Sequence, residues 1–92
     1  MYKEKCESIA NYLSEEFPES AIEHAEIAES QHYRINVNSG LLLLKVSREF
    51  IDDHSIDVML EMFKQWKISC LLRDNHRQGI LVTNAGTCIF NR

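Results

Sequence analysis

Apolar side chains recur at steps of three and four from the start of the chain: Tyr2, Cys6, Ile9, Ala10, Leu13 and Phe17. At 100° per residue these six fall within an arc of about 100°, the width of a helix face packed on a core. The spacing predicts an amphipathic helix over residues 2–17, ended by Pro18, which disfavours helical geometry at the residue before it. Lys3 and Lys5 lie near its start and Glu15 and Glu16 near its end, against the helix dipole, so tertiary packing has to hold it.

Residues 21–28, Ala-Ile-Glu-His-Ala-Glu-Ile-Ala, suit either helix or strand. An edge strand is expected, because a helix has just been broken and strong strands follow. Residues 32–38 alternate: Tyr33, Ile35 and Val37 share one side, His32, Arg34, Asn36 and Asn38 the other, as in a half-buried antiparallel strand. Asn38-Ser39-Gly40 supplies turn chemistry, and residues 41–46 return as a second strand. Its four consecutive leucines predict a central position with both faces partly covered.

Phe50-Ile51-Asp52-Asp53-His54-Ser55 reads as a connection, with Ser55 as an N-cap and Asp57 in the first turn of the helix that follows. Ile56, Met59, Leu60, Phe63 and Trp66 line an arc of about 120°. Lys67 would fall near the centre of that face, so a break is expected at Trp66–Lys67. Ile68, Leu71 and Leu72 fit a short helical turn, while Ile68, Cys70 and Leu72 would fit a strand; the helix is preferred. Arg73–Gln78 reads as a loop, Gly79–Thr83 as a strand rich in β-branched residues, Asn84-Ala85-Gly86 as a turn and Thr87–Phe90 as a last strand.

The expected fold is therefore a single α+β domain over residues 1–92, in the order α-β-β-β-α-(α)-β-β. An antiparallel sheet of about four to five strands carries its helices on one face. The bare face is expected to show His32, Arg34, Asn36 and Asn38. With 45% hydrophobic and 26% charged residues and a single proline, the composition opposes intrinsic disorder. No apolar run is long enough to span a bilayer and the N-terminus lacks a secretory core, so a cytoplasmic protein away from membranes is expected. Cys6, Cys70 and Cys88 are odd in number, widely spaced and set among apolar neighbours, which predicts buried free thiols rather than a disulfide framework.

Charge divides the chain. Residues 1–30 hold eight glutamates against two lysines, a net −6, whereas residues 31–92 hold eight Lys/Arg against six Asp/Glu, a net +2. The run Glu15, Glu16, Glu19, Glu23, Glu26 and Glu29 is a candidate docking surface for a basic partner. A second candidate surface is Met62, Trp66, Arg73 and Arg77, where part of a helix face stays apolar beside cations.

Catalytic and metal signatures are missing: no CxxC, HxxxH or HExxH spacing occurs, and Gly40, Gly79 and Gly86 do not cluster before a helix. Neighbours in Asp52-Asp53-His54-Ser55 do not face one another, so that run is not a triad by itself. No cofactor or metal is expected. The α-β-β-β-α order is similar to that of double-stranded-RNA-binding domains, and the full order with its acidic balance is similar to that of type III secretion chaperones. These likenesses are of topology and charge alone, and they assign no family.

The favoured function is a non-enzymatic protein-interaction module, adaptor or chaperone-like, binding another protein or itself as a homodimer through the acidic N-terminal surface. One alternative is a small-molecule-binding or catalytic domain with a sheet–helix pocket using His32, Asp52, His54 and His76. The other is nucleic-acid binding through Lys64–Arg77, disfavoured by the overall acidity.

Overall fold

The computed structural model describes all residues from Met1 to Arg92. The elements are α1 (Tyr2–Glu16), β1 (Ala21–Ile27), β2 (Ser30–Val37), β3 (Gly40–Ser47), α2 (Arg48–Asp53), α3 (Ile56–Trp66), α4 (Ile68–Asp74), β4 (Gly79–Thr83) and β5 (Gly86–Phe90). The strands form one sheet in the order β1-β2-β3-β4-β5. The expected α+β order holds, but the sheet is mixed rather than antiparallel, because β3 and β4 run parallel. The first three strands and the last two are joined by tight turns and pair antiparallel. Between β3 and β4 the three helices carry the chain back to the end where β3 began, and a parallel neighbour needs such a crossover.

The helices cover one face of the sheet. Alternate residues of the central strands, Tyr33 and Ile35 on β2, Leu42, Leu44 and Val46 on β3, Ile80 and Val82 on β4, point into an 18-residue core. Opposite them α1 supplies Cys6, Ile9 and Leu13, α2 supplies Phe50 and Ile51, α3 supplies Met59 and Phe63, and α4 supplies Ile68 and Leu72. The predicted stripe of α1 is thus the buried one, with Tyr2 and Ala10 packed at its margin. Phe50 and Phe63 stack at 6.0 Å, and Tyr12 meets Phe63 edge-on at 5.6 Å. Each such aliphatic or aromatic side chain contributes about 1.5–3 kcal/mol by leaving water.

The unfavourable charges of α1 are answered from other helices. Arg73 of α4 donates from Nη2 to the Glu16 carbonyl at 3.0 Å, setting a cation at the C-terminus of α1. Ser69 donates to the Glu16 carboxylate at 2.7 Å. Lys5 donates from Nζ to the Ile51 carbonyl at 3.0 Å, so the cation near the start of α1 serves the end of α2.

Three local expectations are corrected. The connection beginning at Phe50 is largely the short helix α2, nucleated by Ser47, whose hydroxyl accepts from the Phe50 amide. Helix α4 runs on to Asp74, so Arg73 and Asp74 are helical rather than loop. Of the three thiols only Cys6 is buried, Cys70 and Cys88 being exposed. Cys70 turns outward on α4, and Cys88 lies on the sheet face that no helix covers. The break at Trp66–Lys67 is present, with Lys67 in the left-handed region at φ 54° and ψ 54°.

Candidate protein-docking surface

Strand alternation turns every second residue of the sheet away from the helices, and the register places these residues in rows. One row, from β1 to β5, is Glu23, Arg34, Leu43, Gly79 and Phe90. The next is Ala25, His32, Lys45, Leu81 and Cys88. Leu41 precedes Leu43 on the same side of β3. The β1–β2 half of this bare face is polar, and the β3–β5 half is apolar. Leu41, Leu43, Leu81 and Phe90 are half-buried, and none of them belongs to the core or packs against it. They form a second apolar cluster on the opposite side of the sheet.

The cluster is ordered around Phe90. The outer edge of its ring occupies the space that a β-carbon on its cross-strand partner Gly79 would need, so only glycine lets the ring lie down on the sheet there. Lys45 reaches across from β3 and holds its ammonium 4.1 Å from the centre of the Phe90 ring. The neighbouring His32 is pushed below its ordinary pKa, first by partial burial and then by the charge of Lys45. Neither Lys45 nor Arg34 forms an ion pair; the chain's ion pairs are Met1–Glu4, Arg48–Glu26 and Arg48–Asp52. An acidic protein therefore presents a bare sheet face whose apolar half is bordered by Lys45 and Arg34, neither of them ion-paired.

No family model matches the chain, and neither the curated proteins nor the solved structures contain a match.

The residues singled out in the sequence lie as follows. Glu15, Glu16, Glu19, Glu23, Glu26 and Glu29 are all exposed, on several sides of the molecule. Glu15 and Glu16 end α1. Glu19 and Glu29 sit in turns, Glu23 faces outward beside Arg34, and Glu26, three residues on, is on the helix side, paired with Arg48 at 3.2 Å. Met62 and Trp66 are half-buried against the core, with Trp66 6.0 Å from Phe50. Arg73 lies over the Phe17 ring at 4.6 Å, and Arg77 is exposed beyond α4.

Asp52, Asp53, His54 and Ser55 do not converge. Asp52 meets Arg48, Asp53 accepts from Asn84, His54 packs on Phe50 with Nδ1 2.7 Å from the Phe50 carbonyl, and Ser55 caps α3. His32 lies on the bare sheet face and His76 just beyond α4, so the polar groups considered for a pocket are not brought together. His76 lines a cleft of about 380 Å³ with Phe17, Val37, Ser39, Leu42 and Arg73, while Asp52 and His32 line separate clefts.

Sequence reasoning missed the patch formed by Leu41, Leu43, Leu81 and Phe90. Its signal was the four-leucine run, which implies that both faces of β3 are covered while the fold supplies helices for only one.

Proposed function

We propose that this chain is a non-enzymatic protein-interaction module that binds another protein through the bare face of its sheet. The observation that carries this reading is the cluster of Leu41, Leu43, Leu81 and Phe90, which lies apart from the core and contributes nothing to it. Contiguous apolar surface held rigid on strands, with a polar margin, is the ordinary make-up of a docking site. The acidic glutamates, exposed on several sides, act as a solvating surface. No helix is long and apolar enough to cross a membrane, and a cytoplasmic setting suits a chain with two exposed thiols.

The two exposed cysteines provide the test. A photocrosslinker on Cys88, with Cys70 replaced by serine, reports on the bare sheet face, and the same reagent on Cys70, with Cys88 replaced, reports on α4. Incubated with an extract of the source cells, the Cys88 probe is expected to capture a discrete protein, and Leu43→Lys to abolish that capture while circular dichroism stays unchanged. Equal capture from both positions, or capture indifferent to Leu43→Lys, rules the reading out.

A further inference from the structure

Two features limit what can lie on the bare face. The first is width. The apolar part spans β3, β4 and β5, two interstrand spacings or about 10 Å, which matches the diameter of one α-helix with its side chains. A partner sheet would also cover β1 and β2, where Glu23, Arg34, His32 and Asn36 point outward, and would strip water from these polar groups. The second is charge. Lys45 and Arg34 border the apolar strip without ion-pair partners, although the protein as a whole carries −4.

We infer that the occupant of this face is an acidic amphipathic helix of a partner protein, its leucine- or phenylalanine-type stripe lying on Leu43, Leu81 and Phe90 and its carboxylates meeting Lys45 and Arg34. This identification rests on the bare face being the binding surface. In the unbound protein Lys45 shields the Phe90 ring. On docking its ammonium leaves the ring for a carboxylate and the partner's stripe replaces it, so a cation–π contact is exchanged for a charge-assisted hydrogen bond.

The test uses two synthetic peptides of about 14 residues, four helical turns. They share one Leu/Phe stripe, and their polar faces carry either Glu and Asp or Lys and Arg. Affinities for the intact chain are read by fluorescence anisotropy and the site by amide chemical shifts. The acidic peptide is expected to bind about tenfold or more tighter than the basic one and to lose affinity with added salt. Shifts should concentrate at residues 41–45, 79–81 and 88–90, and Lys45→Glu and Arg34→Glu should each reduce or reverse the preference. Equal or inverted preference, no binding of either peptide, tighter binding of a single-stranded oligonucleotide, or a dimer that buries the strip overturns the acidic-helix assignment. If that assignment fails while Leu43→Lys still abolishes capture by the Cys88 probe, the docking face stands with a different occupant. If capture survives Leu43→Lys, the face itself is wrong.

Discussion

The ring of Phe90 takes the place of the side chain that Gly79 lacks. A methyl group at position 79 would collide with the far end of that ring, which can swing away because it lies on the surface. Gly79→Ala is therefore expected to lift Phe90 off the sheet and free Lys45, while changing global stability by no more than about 1 kcal/mol, since alanine also restricts the unfolded chain. The upfield ring-current shifts of the Gly79 α-protons in the parent and of the Lys45 ε-protons in both proteins report the contact. If Lys45 keeps its shift in the variant, the ring has not moved and the packing described here is wrong.

Leu43 and Leu44 are neighbours in sequence on opposite faces of β3. Leu44 is fully buried, so Leu44→Ala should cost about 2–5 kcal/mol through lost burial and a residual cavity. Leu43 lies outside the core, so Leu43→Lys should cost less than about 1 kcal/mol. Urea denaturation of the two variants decides the matter, and similar losses would place Leu43 in the core.

Tyr33 predicts a pH dependence. Its hydroxyl donates to the Cys6 carbonyl at 2.8 Å from a fully buried position, and burial drives its pKa far above the ordinary tyrosine range. Tyr2, Tyr12 and Cys6 are raised in the same direction, also chiefly by burial. The unfolded chain therefore loses these protons first. Stability is full below the unfolded values, at neutral pH, and falls as pH rises, with Tyr33 removing about 1.4 kcal/mol per pH unit beyond about pH 10. Tyr33→Phe should cost about 1–2 kcal/mol at pH 7 through the lost hydrogen bond and flatten the alkaline fall. Urea midpoints from pH 7 to 11 that show the same slope in both proteins would contradict this account.

Lys67 joins α3 to α4 in a left-handed conformation that disfavours any residue with a β-carbon. Lys67→Gly should raise stability by about 0.5–1 kcal/mol, and the β-branched Lys67→Val should lower it by a similar amount or more. Thermal denaturation gives the sign; a glycine variant that melts lower would mean that the lysine side chain has a packing role.

What was readable in the sequence was local. The three-and-four spacing of α1, the alternation of β2 and the misfit of Lys67 on an apolar arc each express a period of one element, and each is found in the structure. The partner of β3 was not readable, because short turns declare antiparallel neighbours whereas a crossover of three helices leaves its return strand unplaced. The apolar patch proposed as a docking surface was hidden for a related reason. The leucine run indicates that both faces of β3 need cover, but not that Leu42 and Leu44 meet the protein's own helices while Leu41 and Leu43 meet none. The glutamates looked like one patch because they are close in sequence; the odd spacing of Glu23 and Glu26 on a strand sends them to opposite faces.

The parallel pairing of β3 with β4 also governs when the apolar strip comes into being. Leu41 and Leu43 lie on β3, while Leu81 and Phe90 lie on β4 and β5 beyond the three-helix crossover, so the strip exists only when that long loop is closed. A chain cut before β4 would hold only half of the strip. The proposed binding of a helix would therefore need the closed five-stranded sheet and not the β1–β3 meander alone.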